Sequence, residues 1–213
     1  MRETIKVLLL AADPAHADAA ARLEKVVRTI EHGVRTGPAP DTLELVPHLA
    51  TCAADLRDAL LRHQPRIVHI AGPGDAHDAL YLADEHGHPR AVETDGMGSL
   101  LGALRGSARV VVLNGCGTMR IVEALSEGID YTVDMRCAAG EESAAVFAQA
   151  FYSALGMGCT VLTAFEFGVV RLELEGTPQA ALPVRRIRRG VNLDETLVSR
   201  PAPRGRGCGG PRR

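Results

Sequence analysis

A chain of 213 residues, 46% hydrophobic and 23% charged, has the composition of an ordinary soluble protein and the length to bury one sizeable core. Its formal net charge of −2 offers no broad field to nucleic acid, and no apolar run approaches the roughly 18 residues that a membrane span needs. The opening "MRETIKVLLLAADPAH" turns acidic too soon for a secretory signal, so a cytoplasmic location is the expectation. The five cysteines (Cys52, Cys116, Cys137, Cys159, Cys208) have no paired spacing and read as free thiols. No Cys/His cluster has zinc-ligand spacing, and no metal or cofactor is expected. The His86-Gly87-His88 string reads as a turn.

In chain order, "IKVLLLAA" (5–12) is a continuous apolar run suited to a strand covered on both faces. Leu23, Val26, Val27, Ile30 and Val34 then recur at helical spacing between about residues 17 and 35. A second strand is expected over 42–49, an amphipathic helix over 52–63 stopping before Pro65, and a third strand over 66–72. Alternation through Leu80 and Leu82 ahead of an Asp-Glu-His-Gly turn predicts a small hairpin. There follow a helix from about Thr94 to Leu104, a strand over 108–115, a helix over 117–127 and a strand over 129–135. The last two helices are "EESAAVFAQAFYSALGMG" and "VLTAFEFGVVRLELEG".

This alternation predicts an α/β fold with right-handed crossovers and a mostly parallel sheet between helical layers. Such sheets place their sites at the carboxyl ends of the strands. Asp13, the 72–78 loop and Cys116 all fall at such ends. Beyond residue 176 the chain is rich in Arg, Gly and Pro, and residues 177–213 are expected to be a disordered tail. Its arginines suit a solubilising role. Contact with RNA or an acidic partner is the competing use of such a tail.

Five strings in order resemble the caspase-like CHAT peptidase family: "VLLLAADP" with "RLEKVVRTIE", then "IVHIAGPG", "VVLNGC", and the segment "DMRCAAGEESAAVFAQAFYSALGMGCTVLTAF". The resemblance runs from about residue 5 to 175. It implies a three-layer caspase-like sandwich for residues 1–176 and a Cys/His dyad, in which a thiolate attacks the peptide carbonyl and histidine protonates the leaving amine. Cys116 matches the nucleophile. Gly115 and Gly117 would let a substrate backbone approach, and Gly74 matches the glycine whose neighbourhood supplies an oxyanion donor.

Pro73, however, stands where the family has its histidine, and proline has no side-chain base. His69 matches the family's mid-strand histidine, and its ring is expected to be buried in or under the sheet. His77, in the same loop as Pro73, is the candidate substitute base. His86 and His88 are expected to lie too far away. Asp134 and Glu141 are candidates for a pocket that meets a basic substrate residue, while Glu142 suits a helix N-terminus.

Three functions compete. The preferred one is an impaired peptidase that serves as a regulatory or interaction partner, with a sensor or a second peptidase as its expected protein partner, because bacterial family members are often linked to defence or programmed death. The second is an active cysteine peptidase whose base is His77 or a histidine from another subunit. The third, a nucleotide-handling module, rests on "GPG" at a strand end without the rest of a dinucleotide fingerprint.

Overall fold

The computed structural model describes residues 4–11, 19–35, 42–49, 52–71, 80–84, 86, 88–92, 96, 99–100, 107–114, 119–135, 140–178 and 182–197. Strands β1 (Ile5–Ala11), β2 (Leu43–Leu49), β3 (Ile67–Ala71), β6 (Val110–Asn114), β7 (Tyr131–Met135) and β8 (Val184–Ile187) form one sheet in the order β2-β1-β3-β6-β7-β8. Neighbours are parallel from β2 to β7, and β8 is antiparallel to β7. β4 (Leu80–Ala83) and β5 (Pro89–Val92) make the separate antiparallel hairpin that the alternation predicted. The helices are α1 (Ala19–Arg35), α2 (Ala53–His63), α3 (Met119–Leu125), α4 (Gly140–Gly156) and α5 (Val161–Leu174).

Side chains of the central strands alternate between two cores, as a period of two requires. Ile5, Val7, Leu9, Ile67, Val110, Val112 and Val133 face one core with α1, α4 and α5, filled by Phe147, Phe151 and Tyr152. Leu8, Leu10, Val68, Ile70, Val111 and Leu113 face a second core with α2 and α3. Both faces are covered, which is why these strands read as unbroken apolar runs. Helices α4 and α5 pack closely enough that a Cβ on Gly168 would lie 2.4 Å from the Phe147 ring.

Local rules set the ends. α2 starts with the Asp55 carboxylate accepting from the Cys52 N–H at 3.1 Å, and it stops at Gln64, left-handed at φ 42°, before Pro65. α5 starts at Thr160, whose hydroxyl accepts from the Thr163 N–H at 3.1 Å. β2 is an outer strand and contains Pro47, a residue tolerated there because one side of the strand has no ladder to complete. Strands expected to start at 66, 108 and 129 begin one to two residues later, at Ile67, Val110 and Tyr131. Of the helix expected over 94–104, Gly96, Ser99 and Leu100 are helical, and the remainder lies outside the described residues.

The reading of residues 177–213 as a disordered tail is corrected for 182–197. Leu182 is buried, β8 completes the sheet, and Ile187, Val191 and Leu197 pack against the first core. A low apolar content misleads here because the arginines of "VRRIRR" are engaged. Arg185 lies 4.7 Å over the Phe165 ring, Arg186 approaches Glu123 at 3.8 Å, and Arg188 binds Asp130. Residues 198–213 lie outside the described residues.

Candidate functional site

The sheet brings the ends of four strands to one edge. Ala11 pairs with Ala71, Ala71 with Asn114, and Asn114 with Met135, so the loops after β1, β3, β6 and β7 all leave from the carboxyl side. The topology also reverses there: β1 leads outward to β2, while β3, β6 and β7 follow on its other side. A crevice at such a reversal is where open α/β sheets bind ligands. β3 and β6 are direct neighbours, and adjacent strands run about 4.8 Å apart. Pro73 follows Ala71 by two residues, and Cys116 follows Asn114 by two.

Cys116, Gly115, Gly117, Pro73, Gly74 and His77 themselves lie outside the described residues, as does Asp13. Asp134, on β7 opposite Leu113 and Val184, is 4% exposed and engaged in a polar or electrostatic contact. Glu141 falls in the first turn of α4, with its side chain outside the described part, and Glu142 is exposed in that turn, as suits an acidic residue at a helix start.

His69 is where the sequence expects it, in mid-strand with its ring beneath the sheet. It is 2% exposed, its Nδ1 lies 3.1 Å from the Tyr152 hydroxyl, and the two rings stack at 5.9 Å. Burial lowers its pKa to about 4, so the ring is neutral at pH 7, and burial also pushes the Tyr152 phenol up. Among the described residues, its buried Nε2 has no hydrogen-bond partner. A ring held in this way is part of the packing.

His86 and His88 form the expected turn. Their backbone N–H groups donate to one Asp84 oxygen at 2.8 and 2.9 Å, and these bonds, that to His88 foremost, hold the Asp84 carboxyl below its ordinary pKa. Among the described residues, no group of three or more His, Cys, Asp or Glu side chains could hold a metal ion. Cys52 and Cys159 are free and half-buried.

At the opposite, amino edge lies a cluster that sequence reasoning missed. Asp130 accepts from Arg109 Nε at 2.6 Å and from Arg188 Nη2 at 2.6 Å and Nε at 3.1 Å. Arg109 also donates through both terminal nitrogens to the two oxygens of Glu195, at 2.5 and 2.9 Å. Burial favours the neutral form of Asp130, but the hydrogen bonds from Arg188 and Arg109 outweigh it and hold the carboxyl below its usual value. The Glu195 bonds raise the Arg109 guanidinium pKa against the effect of burial, and Arg109 in turn lowers Glu195. Arg66, Arg109, Arg188, Glu127 and Asp130 line an open cavity of about 480 Å³. The only local signal was a charged residue just before each of β3, β6 and β7, and strand starts are commonly charged.

No family model matches the chain, and no curated protein matches it.

Proposed function

We propose that the chain is a CHAT-type caspase-like protein whose peptidase chemistry is impaired and which acts as a regulatory or interaction partner of another protein. The observation that supports this reading most directly is the parallel, in-register pairing of β3 with β6. It launches the loop of Pro73 and the loop of Cys116 from neighbouring positions of one edge, as a dyad shared between two loops requires. Pro73 then removes the base. A free thiol with a pKa of about 8.5 is only a few per cent thiolate at neutral pH. The histidine that β3 does carry, His69, is buried, neutral and bonded to Tyr152.

The test is labelling of Cys116 by acyloxymethyl ketone peptides with basic or acidic P1 residues. The expected result is a rate no faster than that of Cys52 or Cys159, which serve as internal standards because both are free thiols. Rapid, peptide-dependent labelling that vanishes in His77→Ala would instead establish a working peptidase with a substitute base.

A further inference from the structure

We propose that the cavity at the amino edge binds a small molecule through a phosphate group, and that Glu195, which holds the terminal nitrogens of the lining residue Arg109, competes with that phosphate in the resting chain. The site lies at the opposite edge of the sheet from the carboxyl ends of β3 and β6 and does not rest on the peptidase reading.

The two carboxylates on Arg109 differ in kind. The Asp130 side chain is 13% exposed and ties Arg109 to Arg188, so it belongs to the framework. The Glu195 side chain is 46% exposed, on an irregular stretch that follows β8. It meets Arg109 end-on, with one carboxylate oxygen on each terminal nitrogen. That paired-donor, paired-oxygen geometry is how a guanidinium also takes two oxygens of a phosphate. Asp130 keeps Arg109 Nε occupied and so fixes the direction of the fork whether or not Glu195 is present.

Charge and size agree. Among the described residues, the lining sets three guanidinium groups (Arg66, Arg109, Arg188) against Glu127 and Asp130, and Glu195, bonded to Arg109 beside that lining, brings the sum to zero. Swinging Glu195 out leaves a net positive cavity that can accept an anion. A volume of about 480 Å³ suits a small phosphorylated molecule and is more than a lone ion fills. Glu127 on the lining opposes an anion, so its charge sets a limit on affinity.

Inorganic phosphate and adenosine monophosphate, titrated calorimetrically into the full-length protein at fixed ionic strength with chloride as control, test this directly. Because an exposed ion pair is worth up to about fivefold in an equilibrium, Glu195→Gln should bind both ligands roughly fivefold more tightly than the wild type. Glu127→Gln should add to the effect, and Arg66→Gln in the Glu195→Gln background should reverse it. Tighter binding of the nucleotide than of phosphate identifies a phosphomonoester ligand, whereas equal binding identifies phosphate itself. The proposal is overturned if Glu195→Gln, with an unchanged circular dichroism spectrum, shows no saturable binding, or binds no better than the wild type. Cys116 labelling, fast or slow, leaves either result standing.

Discussion

The carboxyl edge of the sheet takes its candidate chemistry from short strings that each follow a single strand, whereas the amino edge assembles its chemistry from distant residues. Arg109 meets Asp130 across 21 positions and Glu195 across 86, and Arg188 reaches Asp130 across 58. A loop motif is contiguous because one turn must aim one backbone at a substrate. An ion-pair cluster needs only that strands deliver charges to the same corner, and the chain imposes no spacing on it. One edge therefore shows itself in a sequence, and the other only in a fold.

The largest expected effect sharpens the carboxyl side of this comparison. On the proposed peptidase reading, Pro73→His supplies a base in the loop that follows β3 and should raise peptide-dependent labelling of Cys116 by about 10²–10⁴-fold, the usual range for general acid–base assistance. An unchanged rate would separate that loop from the cysteine and break the analogy with a dyad.

The second is read in acid, where the two edges part. His69 has its pKa lowered from 6.5 to about 4 in the folded chain, so the unfolded chain binds more protons between these values. Its neutral burial stabilises the fold above pH 6.5, and that contribution, about 3 kcal/mol, is lost as pH falls from 6.5 to 4. Asp130 behaves differently. Its lowered carboxyl contributes above the ordinary value of 3.8 and is lost only below it, so the amino edge should stay intact through the window in which His69 titrates. Urea unfolding at a series of pH values should show the earlier loss in the wild type and a flatter profile in His69→Gln. Parallel profiles would mean that the imidazole is not held neutral.

Smaller again is Asp130→Asn, which leaves Arg109 and Arg188 without their shared carboxylate and should cost about 1–2 kcal/mol by urea titration. The smallest concerns stability alone: Glu195→Gln should leave the melting temperature essentially unchanged, since its carboxylate is half in solvent. A substantial drop would make Glu195 part of the framework, and the two carboxylates on Arg109 would then be alike.

Much of the architecture was readable beforehand because apolar periodicity records burial. β1, β3 and β6 appear as unbroken apolar runs since helices cover both faces, and α1, α2, α4 and α5 appear as amphipathic repeats. The buried position of His69 followed from its place within such a run. β8 was missed because "VRRI" offers two apolar residues among arginines, and nothing local reveals that Phe165, Glu123 and Asp130 wait to receive the charges. Of the candidate site, the parallel register brings the strand ends that precede its strings to one edge, while the site residues of those strings lie outside the described residues.

Pro47 has a consequence for how the molecule meets its own copies. A bare outer strand is a template on which further chains can stack into ribbons and aggregates. On one rim, β2 interrupts its row of donors with a residue that has no N–H. On the other rim, β8 is only four residues long and carries Arg185 and Arg186 on its two faces, and short, charged edge strands are poor templates for pairing. The sheet is thereby protected from growing sideways, and at high concentration it should resist the edge-to-edge association that its apolar strands would otherwise invite.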